Sequence, residues 1–194
     1  RAGPWERLYG GFLVALFGAS LATAQVTGPV NPMLQTLDCA TVRVGDRLLP
    51  LFPPEQILVV TSAAYAEPLR AQRPALPKAN FILEPEPRNT APAIGLAAHI
   101  LHSIDPEAVM GVFPSDHVIG KPAAYRGVVR AALKGAAAAD RLMVVGIQPR
   151  WPETGYGYVE FPRGVEPGGR RPEPVKRFHE KPDPARARRY VAAG

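Results

Sequence analysis

From residue 48 onward, short apolar runs alternate with longer stretches whose apolar positions recur at helical spacing. ILVVT at 57–61 is continuously apolar, as a strand buried on both faces should be. The stretch from 63 to about 72 reads as a helix, interrupted by Pro68 and ended by Pro74. NFILE at 80–84 predicts the next strand. Asn89 and Thr90 can cap a long helix, APAIGLAAHILHSI, whose Ile94, Ala97, Ala98 and Leu101 share one face. AVMGVFP at 108–114 predicts a third strand, 123–139 a third helix, and RLMVVGI at 141–147 a fourth strand. Strands and helices joined by short connections argue for an α/β fold with a parallel, doubly wound sheet. After Pro149 the texture changes. GYGYVEF at 155–161 alternates as a sheet-edge strand does, 164–174 is a loop, VKRFHEKP at 175–182 is another strand, and 184–193 a final helix. The expectation is one α/β domain with a smaller β region added late.

Residues 1 to about 45 show no clear periodicity and predict no element. Within them GGFLVALFGASLATAQV at 10–26 has the pattern of a secretory signal, with Arg7 before an apolar run and Ala22-Thr23-Ala24 as a small-residue cleavage site. The run is too short and too rich in Gly and Ala for a spanning helix. The α/β pattern that follows argues instead for an intracellular enzyme without a membrane partner. Arg1 in place of Met, and a last helix that looks unfinished at Gly194, suggest a piece of a longer protein.

The chain has 194 residues, 46% of them hydrophobic, which suffices for a real core. Its single cysteine, Cys39, excludes an internal disulfide. The net charge of +6 permits polyanionic partners, but the basic residues gather after Arg163 without interleaved aromatics, which argues against nucleic acid. Arg186, Arg188 and Arg189 fit a solvated helix face. A site for phosphorylated small molecules would use the same charge. His99, His102, His117 and His179 show no ligand-like spacing.

Three stretches carry candidate chemistry. In GVFPSDHVIGKPAAY at 111–125 the apolar run ends at Pro114 and Asp116 follows at once, where open α/β sheets bind ligands. An acid there can hold a hard cation, or simply cap the next helix. In EPEPRNTAPAIGLAA at 84–98, Arg88 offers a planar fork of donors beside a helix start with free N–H groups. Plain capping by Asn89 with Arg88 in solvent is the alternative. In PETGYGYVEF at 152–161, Gly155 and Gly157 permit close approach of a ligand to the backbone, and Tyr156 and Tyr158 offer flat faces and hydroxyls. In FHEKPD at 178–183, Glu180 could reach sugar hydroxyls and Lys181 a phosphate, or the two could form an exposed ion pair.

In order and spacing, EPEPRNTAPAIGLAAHI, FPSDHVI, VVGIQPRWPETGYGYVEF and FHEKPD closely resemble bacterial mannose-1-phosphate guanylyltransferases (GDP-mannose pyrophosphorylases), with a fainter match in DRLLPLFPPEQILVVT. The resemblance covers about 46–194. It implies a Rossmann-like, doubly wound mixed sheet of the sugar nucleotidyltransferase type. It also implies a cytoplasmic enzyme joining GTP and mannose 1-phosphate into GDP-mannose and pyrophosphate. Asp116 would hold Mg²⁺, and Arg88, Asn89 and Thr90 would lie at the nucleotide. Gly155, Tyr156, Gly157 and Glu180 would form the mannose side, and Lys181 would neutralise the sugar phosphate. A homo-oligomer is compatible with the sequence.

The family also opens with a glycine-rich loop, A-G-G-x-G-T-R-L-W-P-L-S-R, followed by a P-K pair. This chain has none of it in frame; Gly10-Gly11 is followed by Phe12 and Leu13. Permitted codons for residues 9–30, read one base later, give a peptide containing L-A-P-L-S-R and then P-K. Residues 1 to about 45 are therefore expected to be an out-of-frame or disordered segment. The family further continues beyond the equivalent of residue 194 with a second metal-binding acid, so this partial chain could be inactive. The alternatives are a sibling sugar-1-phosphate nucleotidyltransferase and a non-catalytic nucleotide-sugar-binding remnant.

Overall fold

In a computed structural model, residues 13–16, 47–72, 74–86, 88–114, 117, 119–139, 141–165, 168–169 and 171–194 are described. The chain divides into two units, Arg1–Arg126 and Gly127–Gly194.

Unit 1 is built on strands β1 (Leu13–Leu16), β2 (Ile57–Ser62), β3 (Phe81–Glu84) and β4 (Gly111–Pro114). They form one sheet in the order β3-β2-β1-β4. Every pairing is parallel: Val14 faces Leu58 and Val112, and Val60 faces Ile82. Helix α1 (Ala63–Gln72) connects β2 to β3, and α2 (Thr90–Ile104) connects β3 to β4. This is the alternation that the apolar pattern predicts. Pro68 lies inside α1 without interrupting it.

One expectation is corrected at the sheet's centre. Residues 1–45 predict no element, yet β1 lies between β2 and β4. The slot between two parallel strands asks only for a short, continuously apolar, extended run, and LVAL is one.

The core lies where α2 covers the sheet. Leu58, Val60 and Ile82 pack with Ala93, Ala97 and Leu101, positions four apart along one helix face. Small Ala93 and Ala97 let the helix come close. The amide of Asn80 ties the start of β3 to the turn leading into β2, donating to the carbonyls of Pro54, Glu55 and Ile57 at 3.1, 3.0 and 3.0 Å. Because all four strands are parallel, their carboxyl ends share one edge. The chain moves outward from β1 to β2 and β3, then returns to the other side of β1 as β4. The β1/β4 crevice is therefore the topological switch point, where such sheets bind ligands.

Helix α3 (Pro122–Ala139) starts in unit 1 and continues into unit 2. Unit 2 then holds an antiparallel pair, β5 (Tyr158–Glu160) and β6 (Arg177–His179), and helix α4 (Pro184–Ala193). The strand expected at 141–147 does not form. Leu142 is fully exposed, and Val144, Val145 and Ile147 also face solvent. Apolar content alone does not make a strand, because its backbone groups need a ladder partner. Among the described residues no helix is long and apolar enough to cross a membrane.

Candidate functional site

In unit 1, the segments after β3 and β4 emerge at the same sheet edge. Glu84 ends β3 partly buried, and that burial pushes its carboxyl pKa up. Arg88 is exposed and directs both Nε and Nη2 to Glu86 Oε2, at 2.9 and 2.6 Å. An exposed pair of this kind contributes little to stability, so the guanidinium can exchange partners at small cost. Asn89 precedes α2 with φ 80 and ψ 179, a backbone state that favours glycine, and its side chain makes no capping hydrogen bond. The expected Asn89 cap is thus not made. Thr90 opens α2, exposed.

Beyond β4, Asp116 lies outside the described residues, and so does its expected role at a metal. Its neighbour His117 is held through the backbone. Arg47, only 6% exposed, donates from Nη1 to the His117 carbonyl at 2.8 Å. Tyr125 on α3 meets Phe113 of β4 edge-on at 6.4 Å. Burial raises the pKa of the Tyr125 phenol, while the positive charge of Arg47 acts to lower it. Among the described residues no group of three or more His, Cys, Asp or Glu could hold a metal.

In unit 2, the turn before β5 is organised by a residue that sequence reasoning passed over, Glu153. Its Oε1 accepts from the N–H groups of Thr154 and Gly155, both at 2.9 Å, and its Oε2 accepts from Trp151 Nε1 at 3.4 Å. These donors lower the Glu153 pKa, the Gly155 N–H most of all. Tyr158 donates its hydroxyl to the Glu153 carbonyl at 2.8 Å. Tyr156 is left 71% exposed. The glycines have internal reasons as well. A Cβ at Gly155 would meet Glu153 Oε1 at 3.3 Å, and one at Gly157 would fall within the Phe178 ring.

Across the ladder, Tyr158 faces His179 and Glu160 faces Arg177. Strand β6 ends at His179, so Glu180 and Lys181 lie just past it. Both are exposed, with Lys181 Nζ 3.6 Å from Glu180 Oε1. Lys181 adopts φ 39, in the left-handed region. Pro182 is buried, and Asp183 caps α4 by accepting from the Arg186 N–H at 2.8 Å. The sheet register therefore brings the turn at 153–157 and the Glu180–Lys181 pair together on one ribbon. Glu160, His179 and Tyr190 were likewise not singled out as site residues. The only sequence signal for the first two is the alternation at 158/160 and 177/179.

A nucleotidyl transferase family model matches residues 46–194. Among curated proteins, the mannose-1-phosphate guanylyltransferase of Escherichia coli is 44% identical over 117 residues, which cover 59% of this chain and 24% of that protein. The xanthan biosynthesis protein XanB of Xanthomonas campestris pv. campestris is 45% identical over 114 residues, covering 59% of this chain and 23% of that one. The chain thus spans about a quarter of the length of the curated relatives it matches. A solved structure described as mannose-1-phosphate geranyltransferase from Thermus thermophilus superposes with a TM-score of 0.71 at 28% identity, over 95% of this chain and 53% of that one. That of mannose-6-phosphate isomerase from Helicobacter pylori, at 24% identity and a TM-score of 0.69 over 95% of this chain and 66% of that one, shares the fold.

Proposed function

Because this chain belongs to the nucleotidyl transferase family, we propose that it serves the transfer of a guanylyl group from GTP to mannose 1-phosphate, giving GDP-mannose and pyrophosphate. The observation that carries this reading is its similarity to mannose-1-phosphate guanylyltransferases. A sugar-phosphate oxygen attacks the α-phosphorus of GTP, a new P–O bond forms, and the bond to the β-phosphate oxygen breaks as pyrophosphate leaves. Such a reaction depends on positioning and on neutralising charge.

The sequence resemblance assigns the roles. Arg88, Asn89 and Thr90 receive the nucleotide at the amino end of α2, and Arg88 exchanges Glu86 for a ligand oxygen. Gly155, Tyr156, Gly157 and Glu180 take the mannose, and Lys181 exchanges Glu180 for the sugar phosphate. Asp116 is the Mg²⁺ ligand. A single carboxylate suits that ion, which takes its other oxygens from phosphates and water. When bound, the ion supplies charge neutralisation at the reacting phosphates. The setting is cytoplasmic, and the partners are small molecules.

The family match begins at residue 46, yet within the segment before it Leu13–Leu16 form a strand of the same sheet. The absence of the family's glycine-rich loop from that segment favours a second reading, a non-catalytic nucleotide-sugar-binding remnant. Calorimetry with GTP and with mannose 1-phosphate, run beside a pyrophosphate-release assay with Mg²⁺, separates the two. Uptake of both ligands with pyrophosphate release, lost in Asp116→Asn, is the result expected of the enzyme. Binding without release supports the remnant, and no uptake of either ligand overturns both. A preference for UTP or dTTP over GTP would instead point to a sibling enzyme.

A further inference from the structure

The small sheet of unit 2 presents two segments to solvent, the turn at 153–157 and the Glu180–Lys181 pair, and one aromatic residue of α4 lies against the strand residues that support both. The Tyr190 ring is 4.9 Å from the His179 ring and 5.5 Å from that of Tyr158, centroid to centroid. Its hydroxyl is 3.2 Å from His179 Nδ1. His179 Nε2 in turn lies 2.9 Å from Glu160 Oε2, and Lys176 Nζ donates to Glu160 Oε1 at 2.5 Å.

The chemistry of these groups gives the hydrogen bonds a direction. Glu160 is held ionised, its pKa lowered to about 2 by the hydrogen bond from Lys176 and then that from His179. A carboxylate can only accept, so His179 donates from Nε2. The other ring nitrogen, Nδ1, is left to hydrogen-bond the Tyr190 hydroxyl. Tyr158 fixes the Glu153 carbonyl, and the Glu153 carboxylate fixes the N–H groups of Thr154 and Gly155.

We propose that Tyr190 is a positioning residue that braces both segments at once. Its hydroxyl acts through His179 on Glu180 and Lys181, and its ring face acts through Tyr158 on the turn at 153–157. The inference deepens the functional reading above, since the ligand these segments would share is mannose 1-phosphate. A residue that merely filled space would be replaced by phenylalanine without consequence. Tyr190 has a bond that phenylalanine cannot make.

Backbone ¹⁵N order parameters on the full chain test the brace without any ligand. Tyr190→Phe keeps the ring and is expected to drop the order parameters of Glu180, Lys181 and Asp183 from about 0.85 to below about 0.6 while leaving 154–157 unchanged. Tyr190→Ala is expected to lower them in both segments. The double variant Tyr190→Phe/His179→Gln should lower 180, 181 and 183 no further than the more affected single variant, because the two side chains share one bond. In calorimetry, Tyr190→Ala should weaken mannose 1-phosphate about tenfold and leave GTP unchanged. Unaltered order parameters at 180, 181 and 183 in Tyr190→Phe, or additive effects in the double variant, overturn the proposal. If the unsubstituted chain takes up no mannose 1-phosphate, the functional reading fails, and the order parameters still decide the brace.

Discussion

A methyl group added at Gly157 would enter the space held by the Phe178 ring. Gly157→Ala is therefore expected to push the exposed Phe178 ring aside at a cost below about 1 kcal/mol, and to be neutral in a Phe178→Ala background; calorimetric melts of the four variants check it. Arg47 has a different office, since its buried guanidinium carries the His117 carbonyl. Arg47→Met should cost about 2 kcal/mol, read from the urea midpoint, because the hydrogen bond from a charged donor is lost. Glu160 sets a pH limit. Its folded pKa is depressed from 4.5 to about 2, so its contribution is complete above pH 4.5 and disappears as the pH falls toward 2. The β5–β6 ribbon should keep its exchange protection down to pH 4.5 and lose it below, and Glu160→Gln should abolish that step. The exposed candidates Arg88, Tyr156, Glu180 and Lys181 were legible from residue type and motif. Glu153, Glu160, His179 and Tyr190 were not, because their partners are chosen by ladder register and by where α4 returns, and neither is written in local spacing.

At the scale of elements, the helices and the strands β2, β3 and β4 followed from apolar periodicity and from the prolines and polar residues between runs. Helix α2 rests on three small or branched side chains against the sheet. Leu101→Ala should cost about 2–5 kcal/mol, measured by chemical denaturation. Strand β1 escaped notice because a four-residue apolar run in an unpatterned stretch has no period to detect; only its two neighbours define it. Its central place makes a sharp test. Ala15→Pro withdraws a donor from a strand paired on both sides and should abolish the cooperative transition of unit 1. An unchanged melting curve would show that the sheet does not depend on residues 13–16. The stretch at 141–147 failed in the opposite sense, with a strong strand signal and no ladder among the described residues.

For the whole molecule, the family match covers residues 46–194 and leaves the N-terminal segment outside it. The coding DNA bears directly on that boundary. Across residues 9–30, the reading frame one base later is expected to spell L-A-P-L-S-R followed by P-K, and any other peptide there removes the out-of-frame explanation. Motif order made the family legible from sequence. The division after Arg126 was not legible, because α3 runs through it without a break in pattern. The uncovered valines and leucine at 141–147 also bear on how the chain behaves in a tube. Bare hydrocarbon on unladdered backbone invites copies to zip together edge to edge. Turbidity should climb steeply as the protein is concentrated, and a lone lysine in Val144→Lys should keep the solution clear.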